Sequence, residues 1–196
     1  MSGEGIEGAL WWDHRLVVRY ANRDELPDLV RLLGDPEACS WLWFGPLQPA
    51  GVNDYFGPIL DTQAEALARG EHASMVEFVV RDRRNGAFLG HGAVVAQSDK
   101  PGWYEIGFAL VPACWGQGVG GRLGRFLVRF AVSELEAAGL EASCLVGNTA
   151  SRHLLESLGL RLRRTRRDHR KMRGVRYDEH FFTAALNELP TTLLMD

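Results

Sequence analysis

The chain has no apolar run long enough to span a bilayer, and its first dozen residues carry Glu4 and Glu7 without a basic start. Neither a transmembrane segment nor a secretory leader is expected, and the reading is a cytoplasmic protein with no membrane partner. Cysteine is scarce. Cys39, Cys114 and Cys144 are odd in number and lack ligand spacing, and His14, His72, His91, His153, His169 and His180 are equally scattered, so neither a disulfide framework nor a metal site is predicted. The phosphate-loop pattern of nucleotidases, a glycine followed five residues later by Gly-Lys-Ser or Gly-Lys-Thr, occurs nowhere. Internal repeats, low-complexity tracts and composition shifts are also missing, which leaves one globular domain for the 196 residues.

What is present is ordinary in amount and uneven in placement. Hydrophobic residues make up 46% and charged residues 24%, enough apolar side chain for a proper core. The net charge of −3 conceals a basic segment, Arg161 to Arg176, with nine Lys or Arg against one acid, while the remaining residues hold 13 bases and 24 acids. An acidic body favours the approach of a cationic amine, whereas the basic segment attracts phosphate or an acidic partner. Because its arginines alternate with Leu160 and Leu162, a solvated strand pair is the plainer reading.

Residues 1–13 read as an N-terminal extension, 14–187 as the domain and 188–196 as a C-terminal tail. Strands are predicted over Leu16 to Tyr20, Met75 to Arg81, Phe88 to Gln97, Trp103 to Val111 and Glu141 to Val146. Leu160 to Arg167 and Val175 to Leu186 form a last pair around Arg173-Gly174. Helical spacing marks Arg23 to Leu33, Asn53 to Arg69, Val119 up to the stop at Ala138-Gly139, and a short stretch from Asn148 to Leu158.

The most informative stretch is Trp115-Gly116-Gln117-Gly118-Val119-Gly120-Gly121, which lies between an apolar strand and an amphipathic helix. Such a turn presents backbone N–H groups inward, and with the positive end of a helix it makes a phosphate site. Gly116, Gly118 and Gly121 also satisfy the spacing of the dinucleotide fingerprint. A dinucleotide fold, however, needs an acid at the end of the next strand and several more strand–helix units. Here that strand ends in Val146-Gly147-Asn148, and only about 50 residues remain.

The stretch resembles the signature of the GNAT superfamily of acetyl-CoA-dependent N-acetyltransferases, with Trp115 in place of the usual Arg or Gln. With Glu105-Ile106-Gly107-Phe108 and Val111-Pro112 upstream, this variant is similar to the branch that includes the ribosomal-protein N-terminal acetyltransferases. A second block, Asn148 through Ser151, Leu155-Glu156 and Leu158-Gly159-Leu160, resembles another element of the same family. The resemblance implies a single α/β (α+β) domain with a mostly antiparallel sheet of six to seven strands, splayed between the fourth and fifth and flanked by about four helices. It also implies acetyl-CoA as cosubstrate, with no metal, and transfer to a primary amine of a peptide N-terminus, a polyamine or a small molecule.

Carried onto this chain, the resemblance puts the coenzyme pyrophosphate on Gly116, Gln117, Gly118, Val119, Gly120 and Gly121, and the thioester oxygen on an amide of Ala109, Leu110 or Val111. Glu105 is either a general base or a structural acid paired with an arginine. Asn148 either caps a helix or also reaches a pantetheine amide. Ser151 can bond the departing sulfur. Leu155 stands where many relatives place a tyrosine acid. Trp41, Trp43, Phe44 and Tyr55 fall where the acceptor wall is built, with core packing or a homodimer contact as the other readings. The competing function is a non-catalytic acyl-CoA-binding module using residues 161–176 to engage nucleic acid or an acidic protein. The negative overall charge and the lack of a nucleic-acid motif count against nucleic acid as a partner.

Overall fold

Runs of alternating and of continuous apolar residues form strands along about a third of this chain, and the computed structural model describes residues 8–194. The strands are β1 (Trp11–Trp12), β2 (Leu16–Tyr20), β3 (Met75–Asp82), β4 (Phe88–Ala96), β5 (Trp103–Leu110), β6 (Gly139–Leu145), β7 (Arg161–Met172) and β8 (Val175–Ala185). The helices are α1 (Leu26–Gly34), α2 (Pro49–Ala68), α3 (Val119–Ser133), α4 (Thr149–Ser157) and α5 (Thr191–Leu194). One sheet runs in the order β1-β2-β3-β4-β5-β6-β8-β7, and only the β5–β6 junction is parallel. The α+β architecture is the expected one with an added strand and helix. Trp11 and Trp12 pair with Val18 and Val17, and Leu189 and Leu193 of the C-terminal segment are buried.

Local sequence sets the helix limits. In α1, Leu29, Leu32 and Leu33 are buried at helical spacing, and the chain turns extended at Asp35, ahead of Pro36. Helix α2 starts on Pro49, where a missing N–H loses no helical bond. Helix α3 buries Leu123, Phe126, Leu127 and Phe130, and the two phenylalanines meet Phe78 of β3 edge to face at 5.0 and 4.7 Å. It ends at Ser133, short of the expected stop at Ala138, because Glu136 takes φ +51° and the Ala137 N–H returns to the Ala131 carbonyl.

The sheet is covered unequally. Helix α3, with α4, packs on the face that carries Phe78, Val94 and Ile106. Helices α1 and α2 cover part of the opposite face, over Glu77, Val79, His91 and Ala109. Beyond them the floor is open: a Cβ added at Gly107 would meet nothing within 4 Å.

All three thiols are buried, and desolvation pushes each pKa up, that of Cys144 to about 11. The thiolate is the reactive form, so the native protein should react slowly with an aromatic disulfide reagent at neutral pH and show three thiols once unfolded. Rapid labelling of any one in the native state would contradict its enclosure.

Candidate active site

The sheet opens where β5 and β6 part. Their pairing stops at Glu105 with Glu141, so the remainder of β5 has a bare edge. The Val111 N–H donates to the Leu89 carbonyl at 2.9 Å, and the Trp103 carbonyl accepts from Gln97 at 2.9 Å. Pleat alternation therefore directs the Ala109 and Val111 amides toward β4 and those of Phe108 and Leu110 into the gap. Of the three amides expected to meet an acyl oxygen, Leu110 alone faces the opening. Phe108, which sequence reasoning missed, faces it too, and is closer along the strand to Glu105. Only the β4–β5 register carries that information.

The glycine turn closes one end of the gap. The Trp115 indole donates to the Leu110 carbonyl at 3.0 Å, fastening the turn to β5. Gly116 and Gly118 take φ of +70° and +78°, and a Cβ on either would project into open space. Among the described residues nothing accepts from the amides of Gly116, Gly118, Val119, Gly120 or Gly121. Gln117 differs from the role expected of it. Its N–H donates to Cys114, and its carbonyl accepts from Arg15 at 3.1 Å, so it braces the turn from behind. Five free amides at the positive end of a 15-residue helix fit a pyrophosphate group.

On the open face, the register aligns Glu105, Glu141 and Thr183 in one row, and Ser143 with Phe181 in the next. Desolvation pushes the Glu105 pKa above the usual carboxylate range. Arg170 opposes that rise, and Glu141 and Glu179 reinforce it. No cation among the described residues lies at ion-pair distance from Glu105, whereas Glu141 holds Lys100 at 2.8 Å. Burial would also raise Glu179, but hydrogen bonds from Arg170, Ser143 and His169 hold it below its ordinary value. Two similar carboxylates are thereby driven apart by their surroundings.

Helix α4 begins beside the gap. Asn148 Oδ1 accepts from the Ser151 N–H at 3.0 Å, so the capping interaction is present, and its Nδ2 has no acceptor among the described residues. The Ser151 hydroxyl lies against the Cys144 thiol. His153 is exposed, and Leu155 is buried.

Aromatic residues wall the opposite side. Trp41, Trp43 and Tyr55 are exposed, and Phe44 packs into the α1–α2 cluster. Trp41 lies against Gly147 at the end of β6, and the Arg170 guanidinium sits 5.3 Å from the Trp43 ring. Arg173 donates to the Cys39 carbonyl at 2.9 Å. The β7–β8 hairpin thus clasps the segment that carries the tryptophans.

No group of three or more His, Cys, Asp or Glu among the described residues is arranged to hold a metal, and no described helix is long and apolar enough to cross a membrane. No curated protein sequence matches the chain. Solved structures do. Spermidine N-acetyltransferase from Vibrio cholerae, in complex with CoA and spermine, aligns with a TM-score of 0.74 at 15% identity over 90% of this chain and 98% of its own. A GNAT-family acetyltransferase from Bacillus anthracis gives 0.74 at 15% identity over 89% and 96%. The ribosomal L7/L12 α-N-protein acetyltransferase, in complex with CoA, gives 0.72 at 16% identity over 92% and 99%. These likenesses show the shared fold. Residues 15–161 match the acetyltransferase (GNAT) domain family itself, and with the splayed strands and free amide turn already in view, the chain belongs to the GNAT acetyltransferases.

Proposed function

We propose that this protein is an acetyl-CoA-dependent N-acetyltransferase that acts on a primary amine, with a peptide N-terminus as the preferred acceptor class. The observation that carries the reading is two sets of unpaired amides on the same opening, one in the glycine turn and one on the bare edge of β5 at Leu110 and Phe108, alongside a carboxylate with a raised pKa. Acetyl-CoA, when bound, supplies the acetyl group as a thioester. Gly116, Gly118, Val119, Gly120 and Gly121 hold its pyrophosphate, and the Asn148 side-chain amide is available to the pantetheine.

Phe108 and Leu110 N–H groups donate to an oxygen on which negative charge develops, a role in which fixed dipoles outperform water. Glu105 takes a proton from the ammonium form of the acceptor, through water where the distance requires it. Its raised pKa brings it closer to the working pH than an ordinary glutamate. Ser151 stands where it can bond a sulfur. With Leu155 in place of a tyrosine, departure as a thiolate needs no further side chain, because a thiolate is a tolerable leaving group. Spermidine and ribosomal-protein acetyltransferases among the structural neighbours support an amine acceptor. Titration with acetyl-CoA, with NADH as control, followed by thiol release across a panel of amines, tests the assignment. Amine-dependent thiol release is expected. Binding without release for any amine would overturn the enzymatic reading.

A further inference from the structure

The arginines of the β7–β8 hairpin are not equivalent. Arg161 and Arg163 share Glu188, Arg170 holds Glu179 at 2.7 Å, Arg173 donates to the Cys39 carbonyl, and Arg176 donates to the Asp168 carbonyl. Arg164 and Arg166 stand apart from these. Their guanidinium groups lie 4.7 and 5.2 Å from the Phe181 ring centroid, and neither has a carboxylate partner among the described residues. Arg166 also donates to His169 Nε2 at 3.1 Å, while His169 Nδ1 is 2.6 Å from Glu179 Oε2. Its guanidinium is thereby oriented through an imidazole whose other nitrogen meets a buried acid.

Register fixes where this pair points. Arg164 lies opposite Phe181 and Arg166 opposite Glu179, and these in turn face Ser143 and Leu145 of β6, on the side of the sheet that carries Glu105 and Glu141. Both arginines therefore line the same open face as the proposed base. Phe181 lies two strands and one row from Glu105, roughly 12 Å at the spacings of paired strands and of alternate residues.

Resting on the acetyltransferase reading, we infer that Arg164 and Arg166 form an anion-binding subsite for the acceptor, and that the acceptor is a peptide N-terminus with an acidic side chain two or three residues beyond its α-amine. Two guanidinium groups held against one ring offer planar donors with little ordering left to lose, the geometry that carboxylates match. A span of roughly 12 Å corresponds to about three to four extended residues. The α-carboxylate of a free amino acid lies too near its amine to bridge it. A polyamine has no anion to offer and would meet two unneutralised cations.

The test is calorimetric binding of the C-terminally amidated peptides Ala-Ala-Asp-Ala, Ala-Ala-Asn-Ala and Ala-Ala-Lys-Ala to the full chain without coenzyme, followed by thiol release with acetyl-CoA. Wild type should bind the Asp peptide about tenfold or more tighter than the Asn peptide, and bind the Lys peptide least, as charge-assisted bonds outweigh neutral ones. In the Arg164→Ala/Arg166→Ala variant that preference should collapse toward one. It should persist in Lys171→Ala, which removes a cation near the hairpin tip. Equal binding of the Asp and Asn peptides by wild type, or an equal loss of preference in Lys171→Ala, overturns the subsite. Amine-dependent thiol release without acidic preference leaves the transferase standing and removes the subsite. Acidic preference in binding with no release from any amine does the reverse.

Discussion

Gly118→Val should yield a folded protein that has lost most of its affinity for acetyl-CoA, by tenfold or more. Gly118 is the residue preceding α3, at φ +78°, and valine is poorly suited to that left-handed region because its branched Cβ crowds the backbone. The strain is of order 1–3 kcal/mol, and about 1.4 kcal/mol is a factor of ten in binding. Relieving it means rotating the peptide planes of the turn, and those planes carry the unpaired amides. The new side chain would also occupy the open space that the amides face.

Gly70→Val is the matched control, because Gly70 has φ +72° and equally open space around its Cβ position, but follows the end of α2. The two variants should lose comparable stability in denaturant, with coenzyme affinity reduced in Gly118→Val alone. Equal affinities in calorimetry would place the pyrophosphate elsewhere.

The glycine turn was legible because its chemistry is local: a strand, glycines with positive φ and a helix start are contiguous in sequence. The same holds for Asn148, which caps α4 three residues before Ser151. Features that depend on partners distant in sequence were not legible. Whether Ala109, Leu110 or Val111 turns its amide to the gap is decided by parity against β4, and a shift of one residue would exchange them. The position of Trp115, with its indole on the Leu110 carbonyl, gives a physical role to a residue that looked like a departure from the family pattern.

The basic segment was read as an even alternation, but the register between β7 and β8 slips between Arg166 and Arg170, where Asp168 takes φ +49°. That slip brings both His169 and Arg170 onto Glu179. Trp11 and Trp12 fall in what reads as an N-terminal extension, and they become a strand because β2 offers a free edge.

Glu105→Gln should lower kcat by roughly a hundredfold while leaving acetyl-CoA affinity nearly unchanged, the usual scale for loss of a positioned base. The pH profile distinguishes this from incidental damage. A base acts as its carboxylate, so wild-type kcat/KM should fall on the acid side through a pKa above the ordinary glutamate range, and that limb should vanish in the variant.

Stability should change in the opposite sense. Because the folded-state pKa is raised, the stabilising contribution of protonated Glu105 is complete below its unfolded value and is lost as pH rises through the folded value. At neutral pH the wild type bears, on a side chain that keeps access to solvent, a charge disfavoured by partial burial and by nearby Glu141 and Glu179, whereas glutamine is neutral throughout. Glu105→Gln should therefore melt at or above the wild-type temperature near pH 7, and the difference should shrink as pH falls toward the acid range. A glutamate retained for an ion pair would give the reverse, a lower melting temperature at neutral pH with turnover intact. A variant that is less active and no less stable carries the signature of a charge kept for its chemistry.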